Sequence, residues 1–159
     1  METAYLLLGT NEGTREKNLE NAKELIEKEC GKIIHSSSVY ETEAWGLKEQ
    51  NSFLNKALSI STSLDAHSLL AALKYIETEV GRTQTVKWGP RVIDIDILFY
   101  GNEVIDEADL KIPHPFIAER RFTLVPLNEI AKEFVHPILR KSINELLKEC
   151  KDESEVRLY

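Results

Sequence analysis

The sequence predicts an α+β fold with a ferredoxin-like βαββαβ core: an antiparallel sheet, helices packed on it, and an irregular, partly helical C-terminal extension. Three observations carry this. Strand-forming apolar runs and helical apolar stripes follow the order strand, helix, strand, strand, helix, strand up to residue 99. A glycine, Gly31 or Gly81, follows each helical stripe as a natural stop. All five prolines sit at or after position 90, so regular elements thin out in the tail.

Taken in order, Tyr5 to Leu8 is a short apolar strand, and the turn GTNEGT follows, with Thr14 placed to cap a helix. Leu19, Ala22, Leu25, Ile26 and Cys30 recur at helical spacing. Ile33 to Tyr40 is rich enough in β-branched and aromatic residues for one strand, and 41–52 reads as a loop. Phe53 to Thr62 is the next strand. Asp65 or Ser63 then caps a second helix whose core stripe is Leu69, Leu73, Ile76 and Val80. Residues 82–91 form a second loop before the strand VIDIDILF, 92–99. PHPF at 113–116 interrupts any regular element, 117–131 suggests short helical pieces, and Ser142 starts a last helix carrying Ile143, Leu146 and Leu147. Both long helices can cover one sheet face, which leaves the opposite face for chemistry.

The chain's 159 residues fit one domain, and the net charge of −7 argues against a general nucleic-acid or membrane-surface binder. It does not forbid an anionic substrate at a locally basic site. No apolar run is long enough to span a bilayer, and the start METAYLLLG lacks a basic region typical of a secretory signal. Cys30 and Cys150 stand far apart without a CxxC or His/Cys cluster, so free thiols in a reducing cytoplasm are expected.

The strand at 92–99 raises the chemical question. Side chains alternate along a strand, so Ile93, Ile95, Ile97 and Phe99 are expected on one face and Val92, Asp94, Asp96 and Leu98 on the other. Carboxylates two residues apart on a strand, with Cα atoms about 6.5–7 Å apart, repel by on the order of 2 kcal/mol at an effective dielectric of 20. A divalent cation compensates, and an oxygen-only donor pair suits Mg²⁺ with substrate phosphates. For an isolated DxD, solvated carboxylates paired with a base such as Arg91 are the plainer reading. The neighbours shift the balance. Arg82, Lys87 and Arg91 precede the pair with no acid between them, and Lys111, His114, Arg120 and Arg121 follow it. Arginine forks suit phosphate oxygens. No GxxxxGK[ST] is present, so a P-loop is excluded. Phe53 and Asn55 share a strand face and can stack on and hydrogen-bond a planar heterocycle. Lys74 and Glu77 share a helix side. His35, His67 and His136 show no partner in the sequence. These residues alone leave three readings open: a Mg²⁺-dependent phosphoryl-type transferase, a nucleotidyl transferase, and a non-catalytic interaction module with solvated aspartates.

WGPRVIDIDIL resembles the signature of the 6-hydroxymethyl-7,8-dihydropterin pyrophosphokinase family. LLGTNEG, VYETEAWG, QNSFLN, ETEVGR, YGNEVI, IPHPFIAERRFTLVPL and FVHP match the family in order and spacing, so the resemblance covers nearly the whole chain. It implies one domain over 1–159 that transfers pyrophosphate from ATP to a hydroxymethyl dihydropterin in folate synthesis and releases AMP. By matching position, Asp94 and Asp96 would bind two Mg²⁺ ions, and with Arg82 and Arg91 would form the catalytic set. Thr42, Asn55 and the backbone of Ala44 and Trp45 would hydrogen-bond the pterin, with Phe53 and Phe122 on its two faces. Lys74, Glu77, Arg82, Trp88, Arg91, Ile97, His114 and Arg120 would contact ATP. Gln84 and Lys87 stand where many members carry loop arginines, Ala44 replaces a common proline, Thr10 a serine and Ser52 an aspartate. A cytoplasmic monomer with no nucleic-acid or membrane partner is the accompanying expectation.

Overall fold

Strand β4 (Phe53–Thr62) organises the sheet, because both of its edges are used along its ten residues. On one side it pairs antiparallel with β1 (Glu2–Thr10), which pairs antiparallel in turn with β5 (Asp94–Tyr100). On the other side Leu58 to Thr62 pair with β2 (Gly31–Ser36), and Phe53 to Asn55 pair with β3 (Tyr40–Thr42). A short β8 (Arg157–Leu158) extends the sheet beyond β3. The core order β5–β1–β4–β2 is the expected ferredoxin-like arrangement. This computed structural model describes residues 1–43, 51–82 and 92–159.

The single strand expected over Ile33–Tyr40 is two strands. The chain breaks from the sheet edge at residues 37–39, where Ser37 bonds Ala57 with both its amide and its hydroxyl, and the Ser38 amide donates to Glu129. β3 then takes the first two residues of the stretch expected to be loop. A run of hydroxyl residues lets side chains compete with the ladder, which residue propensity alone does not reveal.

Helices α1 (Arg15–Glu29) and α2 (Ala66–Arg82) lie on one face. Leu6, Leu8, Ile26, Leu58, Ile60, Leu69, Leu73 and Ile76 are fully buried between them and the sheet. Asp65 caps α2 by accepting the Ser68 amide at 2.8 Å, whereas Thr14 stands at the cap of α1 without a side-chain bond. Gly81 does not end α2; the helix runs on to Arg82.

The opposite face is not left bare. Helices α3 (Arg121–Ala131) and α4 (Ile143–Glu149) cover half of it, with a 3-10 turn at Ile117–Glu119, and bury Leu7, Leu98, Phe99, Leu124, Leu127 and Ile143. Ser142 opens α4 with a capping box to Glu145. A bulge in β5 supplies this second core. Tyr5 faces Phe99 and Leu6 faces Ile97, so Leu98 has no register partner. Ile93, Ile95 and Ile97 therefore stay under the helices as expected, while Phe99 turns away from them to join Leu98. There Phe99 packs against Tyr5, Phe134 and His136.

The three histidines without visible partners in the sequence all have them. His35 Nδ1 lies 3.3 Å from the Ser59 hydroxyl. His67 pairs with Glu107 at 2.7 Å, tying α2 to the hairpin of β6 (Ile105–Asp106) and β7 (Lys111–Ile112). His136 is buried, and its Nδ1 accepts the amides of Ile138 and Leu139, each at 3.1 Å.

Two outcomes test these constraints. A Cβ on Gly31, where α1 turns into β2, would lie 2.2 Å from the Ser61 carbonyl oxygen. Gly31→Ala is expected to cost about 2–4 kcal/mol in urea unfolding, because backbone must move. Burial pushes the His136 pKa below its ordinary value. The unfolded chain thus binds the proton more readily, so this histidine's stabilisation is full above about pH 6.5 and is lost as the pH falls toward the lowered value. His136→Gln is expected to flatten that part of the stability–pH curve measured by thermal melts; an unchanged slope would refute the assignment.

Candidate active site

The alternation along β5 sets the site. With Ile93, Ile95 and Ile97 sealed under the helices, Asp94 and Asp96 project to the other face beyond the edge of α3. Asp94 is exposed and Asp96 half-buried. Opposite them on β1 stand Gly9 and Leu7. Two cavities meet at this pair. One, of about 620 Å³, is lined by Leu7, Gly9, Thr42, Phe53, Asn55 and Phe122, among others. The second, of about 470 Å³, is lined by Lys74, Glu77, Ile97, Asp109, Lys111 and His114, among others. Asp94, Asp96 and Arg120 line both.

The larger cavity joins an apolar body to a small polar edge. Phe53 and Phe122 come from the sheet and from α3. Asn55 on β4 and Thr42 on β3, both buried, lie diagonally across the two strands, Thr42 pairing with Phe53, and the Asn55 amide lies 3.4 Å from the Thr42 hydroxyl. Amide and hydroxyl together offer donors and acceptors to a flat heterocycle. Gly9 makes room for this edge, since a Cβ there would stand 2.9 Å from Asn55 Oδ1. Thr10 donates to the Val92 carbonyl at 2.5 Å, and buried Asn18 donates to the Thr10 hydroxyl at 3.2 Å and to the Glu12 carbonyl at 2.8 Å. Asn18 thereby fixes the turn after β1 against the entry to β5.

The smaller cavity is polar. Glu77 accepts the amide of Ile95 at 2.7 Å, which anchors α2 to β5 between the two aspartates. His114 is held by a bond from its amide to the Leu98 carbonyl, and its Nδ1 accepts the Phe116 amide. Burial lowers its pKa and Arg120 adds to this, against the opposing pull of Asp96. The Arg120 guanidinium lies over the rings of Phe116 at 4.8 Å and Phe122 at 5.6 Å. Stacked so, its planar fork is oriented at the junction of the two cavities.

The structure thus brings Thr42, Phe53, Asn55 and Phe122 into one cavity and Lys74, Glu77, Ile97 and His114 into the other, with Asp94, Asp96 and Arg120 between. Arg82 does not join them: it is exposed at the end of α2, 3.6 Å from Glu79. Ala44, Trp45, Gln84, Lys87, Trp88 and Arg91 lie outside the described residues. Sequence reasoning missed Asn18, Glu43, Ser154 and Glu155, the last three also lining the larger cavity. Asn18 had a signal, a polar residue beside Leu19 on the buried side of α1; the others gave none.

Among the described residues no cluster of three or more His, Cys, Asp or Glu is placed to hold a metal. Two carboxylates on adjacent same-face positions, open toward both cavities, still fit Mg²⁺, which takes one or two protein carboxylates and completes its shell with phosphate and water oxygens.

Known proteins resemble this chain in sequence and in fold. The family model of 7,8-dihydro-6-hydroxymethylpterin-pyrophosphokinase (HPPK) matches residues 5–132. The chain is 48% identical over 159 residues to 2-amino-4-hydroxy-6-hydroxymethyldihydropteridine pyrophosphokinase of Aquifex aeolicus, covering 100% of this chain and 96% of that one. It is 44% identical over 131 residues to the protein of the same name from Bacillus subtilis, covering 82% and 78% of the two chains. Among solved structures, wild-type HPPK-DHPS of Plasmodium falciparum superposes with a TM-score of 0.76 at 24% identity, over 94% of this chain and 43% of that longer chain, a likeness of fold.

Gly9→Ala is expected to displace the Asn55 side chain and weaken binding of a planar donor–acceptor heterocycle in the larger cavity roughly tenfold, with little change in the urea midpoint, because the clash falls on a movable side chain. Calorimetric titration of the variant checks this.

Proposed function

This chain belongs to the 7,8-dihydro-6-hydroxymethylpterin-pyrophosphokinase family, and on that premise we propose that its two joined cavities hold the two substrates and that the aspartate pair marks the point of transfer. The enzyme transfers pyrophosphate from ATP to 6-hydroxymethyl-7,8-dihydropterin, giving AMP and the pterin pyrophosphate, a step of folate synthesis. The observation that carries the site reading is the sharing of Asp94, Asp96 and Arg120 by both cavities.

In this reading the larger cavity receives the pterin. Phe53 and Phe122 flank its ring, and Asn55 and Thr42 bond its polar edge, with the backbone of Ala44 and Trp45 completing the set. The hydroxymethyl group then points toward Asp94 and Asp96. The smaller cavity receives ATP, with Lys74, Glu77, Ile97 and His114 around the nucleotide and its phosphates directed to the same junction. Two bound Mg²⁺ ions would neutralise phosphate charge and polarise the reacting phosphoryl group.

The chain's own contribution is placement and charge. Holding an alcohol oxygen and a phosphorus within reach supplies much of the barrier reduction in phosphoryl-type transfer. Arg120, oriented by two rings, stabilises negative charge on the transferred unit. Arg82 and Arg91 act with it on the triphosphate and on departing AMP; Arg82 leaves Glu79 to do so. Trp88 belongs to the same nucleotide set by the family resemblance. The low pKa of His114 keeps it neutral before the nucleotide arrives, so it enters as a hydrogen-bonding group. A cytoplasmic monomer fits the two free cysteines, Cys30 and Cys150, of which Cys30 has its thiol pushed up to about 11 by burial.

The test is product identity. Incubation with MgATP and hydroxymethyldihydropterin should yield AMP and a pyrophosphorylated pterin; release of free pyrophosphate instead would identify nucleotidyl transfer. Asp96→Asn is expected to lower kcat at least about a thousandfold with the fold intact by circular dichroism. Near-normal turnover in that variant would reject the role of the pair.

A further inference from the structure

The C-terminal tail lies beyond the residues matched by the family model, yet it touches both walls of the larger cavity. At its near end the Asp152 carboxylate accepts the backbone amide of Arg121 at 3.0 Å, at the first residue of α3. The two residues flanking Arg121 are Arg120 and Phe122, both cavity-lining. Asp152 is itself held by the amide and hydroxyl of Ser154. At its far end Arg157 donates to Glu41 at 3.2 Å and to Glu43 at 3.0 Å. Those glutamates bracket Thr42, the buried hydroxyl of the polar edge. Between the anchors Ser154 and Glu155 line the cavity mouth.

The far anchor is reinforced. β8 pairs with β3, and the Tyr159 amide donates to the Val39 carbonyl. The Tyr159 hydroxyl bonds Glu16, and Arg15 lies over the Tyr159 ring at 5.7 Å. Arg15 also bonds the Ser52 carbonyl at 2.9 Å and its hydroxyl at 3.0 Å, immediately before Phe53. Ser52 in turn donates to Glu41 at 2.6 Å, the chief reason the Glu41 carboxyl sits below its ordinary pKa.

We propose that the tail is a strap that sets the separation of the two cavity walls, and that Asp152 and Arg157 are positioning residues for the pterin. The strap joins the start of α3, which carries Phe122, to β3, which carries Thr42. A planar ligand held between Phe53 and Phe122 gains most when this gap is already at ring thickness, because wall ordering is then not part of the binding cost. The smaller cavity receives no residue from the tail, and of its lining only Arg120 adjoins an anchor, the near one at Asp152, so the far anchor at Arg157 is the one that stands apart from nucleotide binding. The proposal rests on the assignment of the larger cavity to the pterin.

The experiment measures dissociation constants of hydroxymethyldihydropterin and of MgATP, separately, by calorimetry on the full chain and on Asp152→Ala, Arg157→Ala and the double variant. Each single change is expected to weaken pterin binding about five- to tenfold. The double variant should be weaker by less than the product of the two, since cutting a strap at either end releases it. MgATP affinity should stay within twofold in Arg157→Ala, whose anchor touches no residue of the smaller cavity, and Arg157→Lys should restore part of the loss. The strap is overturned if either single variant binds pterin within twofold of the parent, if the effects multiply, or if MgATP affinity falls in parallel in Arg157→Ala. Failure of the parent chain itself to bind the pterin would instead overturn the cavity assignment on which the strap rests.

Discussion

Burial of three isoleucines decides where the chemistry lies. Ile93, Ile95 and Ile97 are sealed under α1 and α2, and strand geometry then obliges Asp94 and Asp96 to face the other way. A one-residue slip of β5 would bury both carboxylates in hydrocarbon, a far greater penalty than their mutual repulsion. The apolar core thus enforces the register of the acidic pair, and the pair needs no stability of its own. Everything else at the site is arranged around that fixed point: Gly9 opposite Asp94, Glu77 on the Ile95 amide, and Arg120 stacked on two rings above the junction.

The division of labour follows the two faces of the sheet. One face is covered by α1 and α2 and supplies cohesion, with the smaller cavity at its β5 edge. The other is shared: α3 and α4 pack its far half, and the near half is left concave. The polar cavity takes its walls from α2, β5 and the 105–115 region. The apolar one takes its walls from β1, β3, β4 and α3, elements distant in sequence. That difference suits their proposed ligands, one recognised mainly by charge, the other by shape and a narrow hydrogen-bonding edge.

Much of this was readable from the residues because several signals are strong and local. Phe53–Thr62 has the bounds read from its residues, and the α2 stripe of Leu69, Leu73, Ile76 and Val80 is buried as spaced. Of the described members of the expected sets, Thr42, Phe53, Asn55 and Phe122 line the larger cavity, Lys74, Glu77, Ile97 and His114 the smaller, Arg120 both and Arg82 neither. What escaped depends on partners far along the chain. The break at 37–39 comes from hydroxyls competing with the ladder. Gly81 stays helical because a stop signal is a preference, and the helix found continued packing at Val80. β8 is two residues long and owes its extended form to β3. His136 gains its partners from a turn whose shape no periodicity announces. Arg82, expected at the phosphates, is exposed 3.6 Å from Glu79 and lines neither cavity, next to residues 83–91, which lie outside the described residues.

The unmatched Leu98 has a meaning for how such a sheet can change over evolutionary time. By shifting the alternation once within a single strand, it lets that strand serve two hydrocarbon compartments with opposite phase. Ahead of it Ile93, Ile95 and Ile97 face the first core; after it Phe99 faces the second and Tyr100 the first, the phase being shifted by one. The rings of Tyr5, Phe99 and Phe134 thus cluster in the second core, apart from the isoleucines that set the aim of Asp94 and Asp96. Substitution among those rings loads the second core, while the register of Asp94 and Asp96 is held by the isoleucines ahead of the bulge.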